Sequence, residues 1–205
     1  MVQPRLRGIS SKAGLILVFA LLCCPCVSAE VIRNVEVKMF SDLESESPEV
    51  RKAASYEILD NWRTESRKVA ELVEKYVTLE NRKGTAKDMI LLLGKLRAAE
   101  YTPILVQHMT FEVYYKETKR PQTTEDLYPA VQALIDMGSP ALNAVLERLK
   151  SENSGIVART GAAVLQGILG EQWASAVLDS EIQNSDQIQV KERLQRVLHQ
   201  LQNLP

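Results

Sequence analysis

The sequence predicts an all-α protein: a short right-handed α-solenoid of about four helical hairpins that follows a cleaved signal peptide. Three observations carry that expectation. Apolar residues recur at i, i+3, i+4 and i+7 through most of the chain, which is the helical period. Good helix formers dominate, β-branched runs are short and only 5% of residues are aromatic, a composition that favours helix over sheet. A pattern of helix, tight turn and helix recurs, most clearly over residues 130–170, AVQALIDMGSPALNAVLERLKSENSGIVARTGAAVLQGILG. With 205 residues and 45% hydrophobic content, the chain suits one domain with a buried core.

The first 29 residues read as an export signal. Arg5, Arg7 and Lys12 precede an apolar run from Ala13 to Leu22, and Val27-Ser28-Ala29 supplies a small-x-small cleavage box before Glu30. The run is well short of the roughly 20 residues that span a bilayer. Cys23, Cys24 and Cys26, the chain's three cysteines, all lie inside this segment. The mature chain, 30–205, is therefore expected to hold no disulfide and no thiolate site. It carries 22 basic and 26 acidic residues, net −4, without the basic stripe of a nucleic-acid binder.

The mature chain reads as a series of helices. Residues 30–43 suit a strand through Val31, Val35 and Val37, or a lead-in helix with Val35, Met39 and Leu43 on one face, and the helix is the favoured reading. Ser47-Pro48-Glu49 restarts the pattern with a good N-cap, a tolerated first-turn Pro and an acid at the positive helix end. Val50, Ala53, Ala54 and Ile58 form the apolar face expected there. A helix from about 64 to 79 carries Val69, Leu72, Val73 and Tyr76, with Arg67–Glu71 and Glu71–Lys75 as i, i+4 pairs on its wet side. The next carries Ala86, Met89, Ile90 and Leu93 and ends near Arg97. Tyr101, Ile104, Leu105 and His108 repeat the spacing.

A polar insert follows at 110–126. Thr124 with Glu125 and Asp126 reads as a helix start, continuing through Val131, Leu134 and Ile135 to Met137-Gly138. Ser139-Pro140 opens the helix of Leu142, Val145, Leu146 and Leu149. Val157, Gly161, Val164, Leu165 and Ile168 make a longer stripe that Gly170 stops. Trp173, Val177 and Leu178 lie on a short helix. A last helix carries Val190, Leu194, Val197, Leu198 and Leu201, with the polar outer face of a terminal cap.

The hairpin turns align. In 92–106, 134–146 and 168–178 a helix ends in an apolar pair, a Gly or its substitute makes the turn, and a second helix opens with small residues. The turn residues Arg97, Gly138 and Gly170 are 41 and 32 residues apart, and the larger interval contains the insert. Periods of this size indicate stacked helical pairs. The chain resembles HEAT-type repeats. The resemblance rests on Pro48-Glu49-Val50-Arg51 with Ala53-Ala54, Leu93-Gly94-Lys95-Leu96 with Pro103, Met137-Gly138-Ser139-Pro140, and Val157-Ala158-Arg159 with Ala162-Ala163. It covers most of 47–170, departing from the family pattern at Arg97, where Gly is usual. It implies a protein-interaction scaffold, and in fewer cases an enzyme.

No phosphate loop, HExxH, GxSxG or EF-hand pattern occurs. His108 falls on an apolar stripe and reads as a packed structural residue, and His199 as surface. Asp42, Glu44, Glu46 and Glu49 read as a solvated helix start. Trp62 and Trp173 read as structural residues at helix junctions. No catalytic, cofactor-binding or metal-binding residue is expected.

The insert supplies the candidate partner-binding residues: Phe111, Tyr114, Tyr115, Lys116, Lys119 and Arg120. Tyr and Arg are favoured at interface hot spots. The alternative is a loop that covers the core between repeats, with Tyr114 or Tyr115 packed down. The function expected is that of an exported scaffold, periplasmic or secreted, which binds another protein, no nucleic acid, and no membrane once the signal is cleaved. Two alternatives stand beside it. One is an enzyme or enzyme accessory, like the HEAT-like chromophore lyases. The other is an envelope component anchored by an uncleaved signal.

Overall fold

A computed structural model describes residues 29–61, 63–113 and 123–204. Every regular element among them is helical, with no strand. The α-helices are α1 (Ala29–Leu43), α2 (Pro48–Asn61), α3 (Ser66–Val77), α4 (Lys83–Leu96), α5 (Thr102–Gln107), α6 (Thr124–Leu127), α7 (Pro129–Met137), α8 (Leu142–Ser151), α9 (Gly155–Leu169), α10 (Glu171–Asn184) and α11 (Ile188–Gln202). Short 3-10 turns lead into α3, α4, α5 and α8. Among the described residues, no helix is long and apolar enough to cross a membrane. Residues 1–28, where the export signal is expected, and Trp62, Tyr114, Tyr115, Lys116, Lys119 and Arg120 lie outside the described residues.

Local chemistry sets the helix boundaries. The Ser47 hydroxyl accepts from the Val50 N–H at 3.4 Å and donates to Glu49 at 2.8 Å, opening α2 before Pro48. Ser154 caps α9 in the same way, accepting from Val157 at 3.4 Å. Thr123 and Asp126 form a reciprocal capping box at 3.2 and 3.1 Å. The cap is thus Thr123, one residue before the expected start. The single helix expected from Thr124 to Met137 is broken. A proline disfavours the α region for its predecessor; Tyr128 takes φ −118° and ψ 86°, and α7 restarts at Pro129.

The turns close as their alignment implies. The residues with positive φ among those described are Arg97 (53°), Gly138 (77°) and Gly170 (79°), the three turn positions matched in the sequence.

Compact units divide the chain at Met1–Ser41 and Asp42–Pro205. On α1, Met39 and Leu43 are buried and Val35 is exposed. Within the second unit the packing is ordered along the chain. Helices α2, α4, α7, α9 and α11 each pack on the next. The intervening helices lie against this row: α3 on α4, α5 on α7 and α8, α8 on α9 and α11, and α10 on α9 and α11. Ile58, Ile90, Leu93, Leu134, Leu165 and Leu194 are fully buried along it. Each such side chain contributes about 1.5–3 kcal/mol relative to exposure.

Glycines let the row close up. A Cβ on Gly94 of α4 would stand 2.5 Å from the Cα of Ala133 on α7. The α2 face differs from expectation. Arg51, Ala54 and Ile58 are buried, while Val50 is 38% exposed. Arg51 takes the inner place because its guanidinium finds the partners that a buried charge requires. Helix α10 is also longer than expected, and Trp173 on it is 71% exposed, so its junction role is not supported. Lys75 turns to Glu44 instead of Glu71.

Candidate functional site

Helices α2 and α4 leave an open groove between them, of about 240 Å³. Its α2 wall is Pro48, Lys52, Ser55, Tyr56 and Leu59, and its α4 wall is Asp88, Leu91, Leu92 and Lys95. Each set follows helical spacing, so each is one continuous face. Leu92 is buried, Leu59 and Leu91 are half-buried, and Tyr56 is 55% exposed. The Lys52 ammonium lies 5.9 Å from the Tyr56 ring centre.

The groove's one carboxylate is already engaged. Asp88 Oδ2 lies 2.7 Å from Arg51 Nε. Lys52 and Lys95 are exposed, and among the described residues neither has an ion-pair partner. The groove therefore combines an apolar wall, an exposed aromatic ring and two uncompensated positive charges.

Two other clefts are lined by arginines. Glu46, Arg51, Asn81, Arg82, Gly84 and Thr85 line one of about 310 Å³. There Arg51 Nη1 donates to the carbonyls of Ser45 (2.9 Å) and Glu46 (2.8 Å). Arg82 donates to the Glu44 carbonyl and, through Nε, to Thr85 Oγ1 at 3.2 Å. These contacts satisfy carbonyls of the loop between α1 and α2. Asn153, Gln189, Glu192, Arg193 and Arg196 line the second, of about 330 Å³. Arg193 donates to the Lys150 carbonyl and Arg196 to Asn153 Oδ1.

Of the six insert residues picked out in the sequence, the described residues include Phe111. It is half-buried, and its N–H donates to the His108 carbonyl at 2.9 Å. The insert's flanks are tied together, since the Val113 N–H donates to the Leu127 carbonyl at 2.9 Å. His108 Nε2 lies 3.3 Å from Glu74 Oε1 with its side chain 16% exposed, and His199 is exposed. The acids before α2 disperse to separate partners. Glu44 pairs with Lys75 at 3.1 Å. The Ser47 hydroxyl's hydrogen bond holds the Glu49 carboxyl below its ordinary range. No three His, Cys, Asp or Glu side chains among the described residues converge as a metal site would require.

The groove was missed in the sequence because one stripe was assigned to α2. A second stripe was visible: Lys52, Tyr56 and Leu59 fall on the side away from Ala54 and Ile58. Comparison with protein-family models, curated proteins and solved structures gives no match.

Proposed function

We propose that this chain is an exported α-solenoid of HEAT type that serves as a protein-interaction scaffold and catalyses no reaction. The ordered packing of α2, α4, α7, α9 and α11 supports the solenoid, because repeat folds bury their cores between successive neighbours. The coincidence of Arg97, Gly138 and Gly170 with the positive-φ turns supports the repeat register. The charged start, apolar run and small-residue box of the first 29 residues support export.

The observation that carries the binding function is the α2–α4 groove. Interfaces favour aromatic anchors set in apolar surroundings with a polar rim. Tyr56, the leucines beneath it, and Lys52 and Lys95 at its edge supply these elements. The insert at 110–126 is a second contact surface in this reading.

The test is crosslinking of the native protein in its own compartment, with mass spectrometry of the crosslinked species and of the protein's N-terminus. A dominant protein partner crosslinked through Lys52 or Lys95, on a chain that begins at Glu30, is the expected result. Replacing Tyr114, Tyr115 and Arg120 with Ala should weaken that binding and leave helicity intact. A native protein that crosslinks to no protein, itself included, overturns the scaffold reading.

A further inference from the structure

We propose that the cleft between the start of α4 and the loop before α2 binds a phosphate group, as the free ion or as a phosphate monoester. This cleft, of about 310 Å³, shares no lining residue with the α2–α4 groove, so the proposal stands apart from the scaffold reading. Two guanidinium groups line it, each fixed in place. Arg51 is 5% exposed. Asp88 takes its Nε at 2.7 Å, and the Ser45 and Glu46 carbonyls take its Nη1. Its Nη2 has no acceptor among the described residues. Arg82 is held through Nε by Thr85 Oγ1 and through Nη2 by the Glu44 carbonyl, with its guanidinium carbon 5.1 Å from the Tyr76 ring centre.

The nearest carboxylate oxygen to Arg82 Nη1 is Glu46 Oε1 at 3.9 Å, too far for a hydrogen bond, on a side chain that is 91% exposed. Thr85 is 3% exposed. Its hydroxyl accepts from Arg82, and its own proton has no acceptor among the described residues. Buried donors left unsatisfied are costly. Arg51 Nη2, Arg82 Nη1 and the Thr85 hydroxyl therefore bring free donors to one cleft. Three donors from three side chains suit a tetrahedral oxyanion better than a two-oxygen carboxylate, and guanidinium forks match phosphate oxygens.

Two features of α4 favour the same ligand. No side chain caps its start, so the positive end of its dipole adds to the attraction for an anion. Gly84 stands in its first turn and lines the cleft. Its φ is not positive, and a Cβ there would meet Arg51 Nη2 at 3.7 Å and nothing else within 4 Å. Neither a turn nor a close helix contact calls for glycine here, although glycine weakens a helix. The missing side chain leaves Nη2 open to the cleft. Glu46 is the one carboxylate in the lining, and an entering phosphate displaces it.

The experiment is calorimetric titration of the protein with inorganic phosphate and, separately, with glycerol phosphate, at an ionic strength held constant with chloride. Saturable binding of one phosphate per chain is the expected result. Arg82→Lys keeps the charge and loses the fork, and Gly84→Leu fills the space beside Arg51 Nη2. Each should weaken binding at least about tenfold, the loss expected of a charge-assisted hydrogen bond. Leucine favours helix over glycine, so Gly84→Leu separates loss of the site from loss of the fold, and circular dichroism checks both variants. Glu46→Gln should tighten binding by removing the competing carboxylate. Lys83→Gln removes a neighbouring charge that is paired with Glu80 at 3.0 Å, and should leave the affinity within about twofold. Binding of inorganic phosphate alone supports a free-ion site, and binding of both supports a group carried on a larger molecule. No saturation by either below about 10 mM overturns the proposal. So does binding that Arg82→Lys and Gly84→Leu leave unchanged, or that Lys83→Gln weakens as much as Arg82→Lys does.

Discussion

Arg148 on α8 reaches back to α5 and donates through Nη1 to the carbonyl of Val106, 42 residues earlier in the chain. Arg193 on α11 repeats the contact on the carbonyl of Lys150 in α8, 43 residues earlier. In each case a guanidinium from a later helix closes the carbonyl end of an earlier one. The last carbonyls of a helix lack intrahelical partners, and a cation suits the negative end of its dipole. Arg148→Met should therefore cost about 1.5–3 kcal/mol, the worth of a hydrogen bond from a charged donor, although the Val106 carbonyl still accepts from the Met109 N–H at 3.2 Å. Arg193→Met should fall in the same range. Urea unfolding followed by circular dichroism measures both, and unchanged midpoints would remove these contacts from any account of the stack's stability.

The glycines facing neighbouring helices separate two kinds of close contact. A Cβ on Gly94 would meet the Cα and carbonyl oxygen of Ala133, at 2.5 and 2.6 Å. Those atoms are backbone and cannot step aside. Gly94→Ala should push α4 and α7 apart and cost roughly 1–3 kcal/mol, the range of overpacked cores. Ala133→Gly should not rescue it. A Cβ on Gly167 would instead meet Cδ1 and Cγ1 of Ile135 at 2.5 and 2.7 Å. Gly167→Ala should be milder, and combining it with Ile135→Val should recover part of the loss. Thermal unfolding of the four variants decides the pattern, and a rescue at Gly94 would contradict it.

Arg97 ends α4 in the left-handed region, at φ 53° and ψ 32°, with its N–H donating to the Gly94 carbonyl. A side chain there costs about 1–2 kcal/mol, against roughly 0.5–1 kcal/mol of extra unfolded-state freedom for glycine. Arg97→Gly should stabilise the protein by about 0.5–1 kcal/mol. Gly138 and Gly170 pair positive φ with ψ of −144° and 159°, a region essentially reserved for glycine. A Cβ at either would meet nothing within 4 Å. Gly138→Ala and Gly170→Ala should therefore lose stability through backbone strain alone, by about 1–3 kcal/mol. Equal midpoints for all three variants would refute this division.

The same three turns mark how far the sequence could be read. Helix ends are written in local chemistry, so Ser47, Arg97, Gly138 and Gly170 were legible one at a time. The stripe Ala86, Met89, Ile90 and Leu93 was legible because its apolar residues share one face. Arg51 was not, because its burial depends on Asp88, 37 residues later, and on the carbonyls of Ser45 and Glu46. Pairings across helices leave no local periodicity. Tyr56 and Trp173 escaped for a related reason. An aromatic residue on a helix reads as core until the neighbours that might cover it are placed, and here none do. The groove depends on two helices whose outer stripes become one surface only after α2 packs on α4.

Lys150 links α8 to α10. Its ammonium lies 2.8 Å from Glu181 and 3.0 Å from Glu147. Hydrogen bonding to Glu181 first, and to Glu147 second, raises its pKa above the ordinary 10.5. A raised folded-state value means that the folded chain holds this proton more tightly than the unfolded chain does. The contribution is fully present below 10.5 and is lost as pH climbs through the higher folded value. The side chain is 27% exposed, so solvent and salt reduce the effect. Other lysines and tyrosines titrate in the same range, so the informative quantity is the stability difference between the native protein and Lys150→Met. That difference should be constant from about pH 7 to 9 and shrink toward zero above the ordinary lysine range. Glu181→Gln should remove more of it than Glu147→Gln, because Glu181 contributes most to the shift and joins α10 to α8. A difference that stays flat through alkaline pH, or a larger effect at Glu147, would show that Lys150 does not hold α10 in place through its charge.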